Sequence, residues 1–403
     1  MRIPVLAAVV VAVCGLVFWA VSSLNSGGTA EVVSEPGSEA AAPERVALED
    51  SFLARDIEAI VALGPRGMPE LAPGRSWQPR PVPEPPAGEI VRSAAPLPPD
   101  LSAERFVVID ADSGAVLAGH NEHQQAAMAS TIKVLTALSV LRATETDEIV
   151  TVDATADAVG ERGLWLAEGE QHSVHDLLGG MLVGSANDAA TALAVHVGGS
   201  VAGWADYTNW LARRLGARNT NVVNPHGLDA DGHVSSAYDL AVLARAGLSD
   251  PVFADWVLTK EHKVPWPGME YPRVARNKNK LLENYPGALG IKTGGTNKAG
   301  PSLVSGAERE GERYVVVVLK SWNPSGESAA LLDWAFANHM RVEVVPAGSL
   351  VEAKDGDYVA AEAMSVTVPN EQAGAVTTRV RDGRIEAVLG DEVLGSVSAR
   401  RAS

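Results

Sequence analysis

The fold and chemistry of this chain are indicated first by the stretch Ala129-Ser-Thr-Ile-Lys-Val-Leu-Thr-Ala137. An apolar helix is predicted over residues 131–141, and Ser130 and Lys133 lie three residues apart at its start. Side chains at that spacing share one face of a helix, about one turn apart. A serine is a poor nucleophile at neutral pH and needs an adjacent base, which a neutral lysine amine can supply. The stretch therefore predicts a serine nucleophile beside a lysine base.

Two further short motifs follow along the chain, and each carries side chains that acyl transfer can use. Ser185-Ala-Asn187 supplies a second hydroxyl and an amide, and Lys292-Thr-Gly294 supplies an amine and a hydroxyl suited to a terminal carboxylate. The last motif ends a β-like segment and continues into Gly295, where a substrate backbone could approach closely. Each motif can occur by chance, but the three in this order form a strong joint signal.

The two motif lysines are predicted to carry different charges. Desolvation, a helix N-terminus and a second nearby cation each favour the neutral form of a lysine amine. Lys292 can be that second cation for Lys133. We therefore predict that Lys133 is neutral in the resting site and that Lys292 stays charged.

Together the motifs resemble those of the penicillin-recognising serine enzymes. The closer resemblance is to the exported D-alanyl-D-alanine carboxypeptidases, and it covers about residues 101–339. It is carried by the first stretch and by Ser185-Ala-Asn-Asp-Ala-Ala190, Asn224-Pro-His-Gly-Leu-Asp229, Asn279-Lys-Leu-Leu282 and Tyr285-Pro-Gly-Ala-Leu-Gly-Ile-Lys-Thr-Gly294.

The resemblance implies a role for each motif residue. The implied catalytic residues are Ser130, Lys133 and Ser185, and the implied substrate-binding residues are Asn187, Lys292, Thr293, Gly294 and Gly295. Ser130 would be acylated with Lys133 as base, and Ser185 would relay a proton to the leaving amine. Asn187 would hold the substrate amide, while Lys292 and Thr293 would bind the carboxylate. The backbone N–H groups of Ser130 and Gly295 would form the oxyanion hole.

The order of strand-like and helix-like segments predicts an α+β fold, in the broad α/β class. A hairpin is predicted over residues 106–117, helices occupy most of residues 175–248, and strands return over residues 289–318. This order indicates one antiparallel sheet built from both ends of the catalytic domain, with a helical lobe inserted. The resemblance implies that this is the β-lactamase/transpeptidase-like fold. A helix over residues 328–339 is predicted to close the unit.

We divide the chain into four segments: 1–24, a signal-anchor or signal peptide; 25–100, a proline-rich linker; 101–340, the serine D,D-peptidase catalytic domain; and 341–403, a small β-rich C-terminal module. The uncharged run over residues 3–21 approaches the length that spans a bilayer, which favours an uncleaved signal-anchor. Small residues around Gly28-Thr-Ala30 leave a cleaved signal peptide open. In either case the remainder is exported.

The linker is interpreted as a semi-rigid spacer or as a functionless tail. A short helix is predicted within it, over residues 51–63.

Composition limits the partners and cofactors. A formal net charge of -17 argues against nucleic acid, and the single cysteine, Cys14, excludes a Cys-based zinc site or an intrachain disulfide. A metal site at His172, His175 and His226 is conceivable, but histidines solvated at helix starts explain the pattern better. No cofactor and no metal are therefore predicted.

Three rival functions share part of this pattern. A class A β-lactamase needs a glutamate after the Ser-x-Asn motif, and residues 171–260 contain no glutamate. A D,D-endopeptidase acting on crosslinks uses the same chemistry, and an inert wall-binding module needs none of these side chains. We favour a carboxypeptidase that removes the terminal D-alanine of peptidoglycan stem peptides and is inhibited by β-lactams. Its catalytic domain is predicted to lie outside the cell membrane, tethered by the N-terminal segment, or to be secreted if that segment is cleaved.

Overall fold

The computed structural model of the chain describes residues 67–78, 80, 93–161, 163–354 and 356–402. The predicted signal-anchor over residues 1–24 and the predicted helix over residues 51–63 lie outside these residues, as does much of the predicted linker over residues 25–100. Within the described ranges, no helix has both the length and the apolar character needed to cross a bilayer.

Strands and helices are numbered here in chain order over the described residues. The strands are β1 (Arg105–Asp110), β2 (Val116–His120), β3 (Ile149–Thr151), β4 (Gln171–Ser173), β5 (Glu261–Val264), β6 (Arg273–Arg276), β7 (Ala288–Gly294), β8 (Ser302–Arg309), β9 (Glu312–Leu319), β10 (His339–Val345), β11 (Leu350–Ala353), β12 (Gly356–Ala360), β13 (Met364–Pro369), β14 (Val376–Arg381), β15 (Arg384–Leu389) and β16 (Glu392–Arg401). The helices are α1 (Lys133–Leu141), α2 (Ala154–Asp157), α3 (Val174–Val183), α4 (Asn187–Gly198), α5 (Val201–Arg214), α6 (Ala237–Leu248), α7 (Pro251–Leu258), α8 (Leu281–Asn284) and α9 (Pro324–Asn338).

A five-stranded sheet in the order β2-β1-β9-β8-β7 organises the catalytic region. Every neighbouring pair in it is antiparallel, and β1 joins β9 with Phe106 opposite Val318. Alternate residues of β9 belong to two different cores: Val315 and Val317 face the helical lobe, whereas Tyr314 packs with α9 on the other face. The prediction of one antiparallel sheet built from both ends of this region, with a helical lobe inserted, is confirmed.

Helix α1 is the centre of the helical lobe. Its residues are all buried, and α3, α4, α5 and α6 contact it. The helix begins at Lys133, two residues later than predicted, because residues 129–132 form a 3₁₀ turn instead. That turn is consequential, since it contains Ser130.

The predicted C-terminal β module is present and has its own apolar core. Strands β10 and β13 form a ribbon, and the order β11-β12-β16-β15-β14 forms a second sheet around residues such as Val366 and Ile385. The module is joined to the catalytic sheet by polar contacts: Thr367 Oγ1 donates a 2.8 Å hydrogen bond to Asp110 Oδ2. Arg313 and Arg341 both pair with Asp112.

Part of the predicted linker packs on the helical lobe. The backbone N–H of Ala72 donates to Val197 O at 2.9 Å, and Trp77 meets the ring of Trp210 edge-on at 5.5 Å. Arg75 forms an ion pair with Glu148. These contacts attach residues upstream of the catalytic sheet to its helical lobe.

Helix α9 begins four residues earlier than the predicted start at residue 328. Asn323 caps it by accepting from the Gly326 N–H, and Pro324 occupies the first turn, where its missing N–H costs nothing. Glu327 in the same turn is buried and holds the chain entering β1: its Oε2 accepts from Ala103 N at 3.0 Å, and its Oε1 accepts from Ser102 N at 3.0 Å.

Replacing Glu327 by alanine should destabilise the protein, because it leaves the Ser102 and Ala103 N–H groups without an acceptor inside the fold. We expect Glu327→Ala to lower the free energy of unfolding by about 2–4 kcal/mol. Glu327→Gln keeps one carbonyl acceptor, so its free energy of unfolding should fall by roughly half as much as that of Glu327→Ala. Urea unfolding measures both. Glu283→Ala, at an exposed side chain of α8, is the control and should change stability by less than about 0.5 kcal/mol.

Candidate active site

Ser130 stands in the 3₁₀ turn that precedes α1. The residue before it, Ala129, is buried and has φ 49°, a left-handed backbone conformation that non-glycine residues rarely adopt. Such strained residues concentrate at functional sites, where the surrounding structure holds them. In this turn Ser130 is half-buried, and its hydroxyl contacts the side chain of Lys133, the first residue of α1.

Lys133 is completely buried and lies at the centre of the site. Its Nζ is 2.9 Å from Ser130 Oγ, 2.8 Å from Asn187 Oδ1 and 2.6 Å from the backbone oxygen of His226. The amide and backbone oxygens can only accept hydrogen bonds, whereas the serine hydroxyl can donate or accept. A neutral amine can therefore donate to the two obligate acceptors and keep its lone pair for Ser130.

The second motif lies between two helices that position its side chains separately. Helix α3 ends before Ser185, which has φ 63°, and the Ala186 N–H reaches back to Gly180 O at 3.1 Å. Ser185 is thereby turned away from the helix axis. Asn187 begins α4 and is buried, with its Oδ1 committed to Lys133. Within the described residues its amide nitrogen makes no hydrogen bond, which leaves that donor available to a ligand.

Lys292 approaches the same site from the edge strand β7. It is 2% exposed, and its Nζ donates to Ser185 Oγ and to Thr293 O, each at 3.0 Å. A register shift between Ala288 and Gly290 and a φ of 107° at Ile291 precede it. Bulges of this kind re-aim side chains next to active sites, and here the irregular stretch leads directly into Lys292.

The end of β7 packs tightly against the Ser130 turn. A Cβ built on Gly294 would lie 3.1 Å from Met128 O and 3.1 Å from Thr131 N, so a side chain there would press on the turn. Thr293 is half-buried, and its hydroxyl has no hydrogen-bond partner in the described part of the chain. Gly295 is exposed, and a Cβ built on it would meet nothing closer than 3.9 Å. Hydroxyl and backbone groups are thus open beside Ser130.

Comparisons with known proteins identify the family. The sequence profile described as D-alanyl-D-alanine carboxypeptidase, peptidase family S11, matches residues 92–323. The chain belongs to this family. D-Alanyl-D-alanine carboxypeptidase DacB2 of Mycobacterium tuberculosis is 36% identical over 263 residues, covering 63% of this chain and 89% of that relative. DacD of Escherichia coli is also 36% identical, over 64% of this chain and 69% of its own length.

Solved structures give the same family and fold. Penicillin binding protein 6B from Escherichia coli superposes with a TM-score of 0.64 at 30% identity, over 76% of this chain and 98% of that one. A D-alanyl-D-alanine carboxypeptidase structure from Mycobacterium tuberculosis gives a TM-score of 0.57 at 35% identity, over 61% of this chain and 96% of that one. The chain is therefore a serine hydrolase of the S11 carboxypeptidase family, with the transpeptidase-like fold that its sequence predicted.

The loop Asn224–Asp229 of this carboxypeptidase contributes more to the site than sequence reasoning assigned to it. The backbone oxygen of His226 is 2.6 Å from Lys133 Nζ, closer than Ser130 Oγ or Asn187 Oδ1, and it also lies 3.3 Å from Ser130 Oγ. Asp229 accepts from Thr296 Oγ1 at 2.7 Å and Lys298 N at 3.1 Å, so it fastens the loop after β7. A backbone carbonyl leaves no mark in a sequence, and this is why its role was missed.

The histidines near Lys133 stay neutral at neutral pH. Burial is the main cause that lowers the pKa of His226 to about 3, and Lys133 and His233 would lower it further whenever they are protonated. Burial also lowers the pKa of His233 to about 4, against attraction from Asp229. Neither ring can add positive charge to the site at pH 7, so the positive charge of the site must come from the motif lysines, of which Lys292 is the one predicted to stay charged.

Other residues considered from the sequence have separate places. Asp188, interpreted as a cap or turn residue, is buried and accepts from the Leu164 and Leu166 N–H groups at 3.0 and 3.1 Å. The histidines of the conceivable metal site have different partners: His172 pairs with Glu170 at 2.9 Å, whereas His226 belongs to the loop beside Lys133. The third, His175, lies on the surface of α3.

Gly227 lies in this loop directly against the Ser130 turn, so a methyl group added there should disturb the active site. It has φ 92°, and a Cβ built there would lie 2.0 Å from Ala129 O and 2.8 Å from Ser130 N. We expect Gly227→Ala to slow acylation by a fluorescent penicillin at least about tenfold, because the Ser130 turn must move.

The matched control for this change is Gly232→Ala, measured by the same labelling rate. Gly232 also has positive φ, 73°, but a Cβ there would meet nothing closer than 3.7 Å. Both variants place an alanine in a left-handed backbone conformation, but only in Gly227→Ala does the new methyl group also clash with the Ser130 turn. Equal labelling rates for the two would show that the close approach to Ser130 does not matter.

Proposed function

We propose that this enzyme removes the terminal D-alanine from peptidoglycan stem peptides through an acyl-enzyme on Ser130. The observation that carries the proposal is the 2.9 Å contact between Ser130 Oγ and the buried amine of Lys133. A hydroxyl next to a desolvated amine is the arrangement that makes serine nucleophilic without a histidine.

The first step is attack by Ser130 Oγ on the carbonyl carbon of the penultimate D-alanine. Neutral Lys133 takes the hydroxyl proton, and general-base assistance of this kind contributes about 10²–10⁴-fold to the rate. The hydrogen bonds to Asn187 and His226 O hold the amine in place during the transfer. A titration of isotopically labelled lysines that found Lys133 fully charged at neutral pH would contradict this step.

The second step is departure of the terminal D-alanine. The tetrahedral intermediate collapses and the C–N bond breaks. The leaving amine receives, through the Ser185 hydroxyl, the proton that Lys133 took from Ser130, so Lys133 is neutral again. The 3.0 Å hydrogen bond from Lys292 Nζ orients the Ser185 hydroxyl and places the positive charge of Lys292 beside it. Water then attacks the ester at Ser130, which releases the shortened peptide and restores the free hydroxyl.

Substrate recognition uses the open edge of β7. The sheet order leaves β7 with one unpaired edge, where an extended peptide can add as a further strand. The Thr293 hydroxyl and the charge of Lys292 provide a site for the terminal carboxylate. The N–H groups of Ser130 and Gly295 stabilise the oxyanion, and a single donor of this type is worth roughly 10²–10³ in rate. Asn187 offers its amide nitrogen to the substrate peptide.

β-Lactams are the expected inhibitors because they acylate the same serine. The name of the similar structure, penicillin binding protein 6B, supports this assignment. A β-lactamase function is disfavoured by the lack of a glutamate over residues 171–260, because a class A β-lactamase uses a glutamate after the Ser-x-Asn motif to activate its deacylating water.

The full chain, purified in detergent, tests the proposal with a fluorescent penicillin and with a pentapeptide ending in D-Ala-D-Ala. We expect stable labelling and D-alanine release, with both reduced by at least about 10³-fold in Ser130→Ala, which removes the nucleophile. Ser249→Ala, at an exposed serine after α6, is the control and should behave like the native chain.

Other outcomes would assign a different function. Rapid loss of label with hydrolysed drug indicates a β-lactamase, and faster cleavage of a crosslinked peptide dimer than of the pentapeptide indicates an endopeptidase. Labelling and release that both persist in Ser130→Ala would exclude this serine as the nucleophile.

We also propose that residues 1–24 anchor the catalytic region to the outer side of the cell membrane. The support is the uncharged apolar run over residues 3–21, together with the proline-rich composition that follows it. We expect the mature protein to be recovered in the membrane fraction after a high-salt wash, still with its original N-terminus. N-terminal sequencing that starts near residue 31, on protein found in the soluble fraction, would show a cleaved signal peptide instead.

A further inference from the structure

Three metal-ligating side chains meet on the helical lobe at the end of α3 farthest from Ser185. His175 and Asp176 belong to the first turn of α3, and His262 comes from β5. Ser185 follows the other end of this helix, about 15 Å away at 1.5 Å of rise per residue. The cluster is therefore separate from the chemistry at Ser130.

The ligand atoms of this His–Asp–His cluster are close enough for one ion to bind them all. One from each residue lies within 4.8 Å of the other two. Asp176 Oδ1 is 3.2 Å from His262 Nε2 and 3.8 Å from His175 Nδ1. Ligand atoms bound tetrahedrally to zinc at about 2.0–2.1 Å are separated by roughly 3.3 Å, so small side-chain rotations complete the site.

The ring of His262 is held in place by close packing. A Cβ built on Gly179 would lie 2.5 Å from His262 Cδ2 and 2.6 Å from the Trp256 ring, so the absence of a side chain lets both rings lie against α3. The Trp256 ring is 4.7 Å from that of His262 and 4.6 Å from that of His175. One aromatic residue thus orients both imidazoles.

The Nε2 atom of His262 faces the carboxylate of Asp176. It is buried and lies 3.2 Å from Asp176 Oδ1, in a contact that does not have the geometry of a hydrogen bond. Asp176 itself is fixed by its backbone N–H, which donates to the capping Ser173 Oγ at 3.0 Å. A buried ring nitrogen that makes no hydrogen bond and lies beside a fixed carboxylate offers two ligand atoms to a single ion.

We propose that His175, Asp176 and His262 bind a divalent transition-metal ion of the zinc class. Two imidazoles and one carboxylate suit zinc, and water would complete a four-coordinate site. The exposure of His175 leaves the ion open to solvent on one side. The bound ion would crosslink α3 to β5, and through β5 to the β5–β6 hairpin, at the opposite end of the helix that leads to Ser185.

The test is a titration of the EDTA-treated full chain with Zn²⁺ alone, in detergent, by calorimetry. We expect one Zn²⁺ per chain, and binding weakened about tenfold or more in each of His175→Gln, Asp176→Asn and His262→Gln, because each loses one ligand. His120→Gln is the matched control and should leave zinc binding unchanged, because His120 is an exposed residue of β2 that stacks on Phe106 of β1, outside the cluster.

Two further measurements distinguish a metal site from a purely structural cluster. Zn²⁺ should raise the melting temperature of the native chain and of His120→Gln but not that of His262→Gln. Labelling of every variant by fluorescent penicillin establishes that it is folded. The proposal is overturned if the native chain retains no Zn²⁺, or if the double variant His175→Gln/His262→Gln binds it as tightly as the native chain. Neither result bears on the carboxypeptidase activity.

Discussion

The active site depends on one buried amine and the three oxygens around it. Lys133 Nζ is fully shielded from solvent and contacts Ser130 Oγ, Asn187 Oδ1 and His226 O, which come from a 3₁₀ turn, a helix start and a loop. A buried amine is costly unless its hydrogen bonds are satisfied, so these elements cannot move independently. The same contacts that lower this cost also fix the direction of the amine toward the serine.

Strained backbone conformations accompany this arrangement at all three motifs. Ala129, Ser185 and Ile291 all have positive φ, and each immediately precedes or belongs to a motif. Conformations of this kind cost roughly 1–3 kcal/mol each and persist only where the surroundings determine them. The fully buried residues of α1 and the paired strands of the sheet provide such surroundings.

The residues that act through their side chains could be predicted from the sequence, and those that act through their backbone atoms could not. Ser130, Lys133 and Lys292 fall in motifs whose order indicates a common site, and the strand–helix–strand order indicates the sheet. The contribution of His226 comes from its carbonyl, which every residue possesses. Gly227 matters through a close approach between segments nearly a hundred residues apart, and only a three-dimensional structure reveals it. The start of α9 was misplaced because the Asn323 cap and Pro324 were not weighed as a helix start.

The position of β9 in the middle of the sheet has a consequence for the nascent enzyme. Strand β1 pairs with β9, which is synthesised about two hundred residues later, and Lys292 reaches Ser185 only through β7, which β8 joins to β9. Contacts of such large sequence separation form late in folding. A chain whose last strands are not yet synthesised therefore has Ser130 and Lys133 in place without Lys292, and hydrolysis cannot begin until those strands have paired.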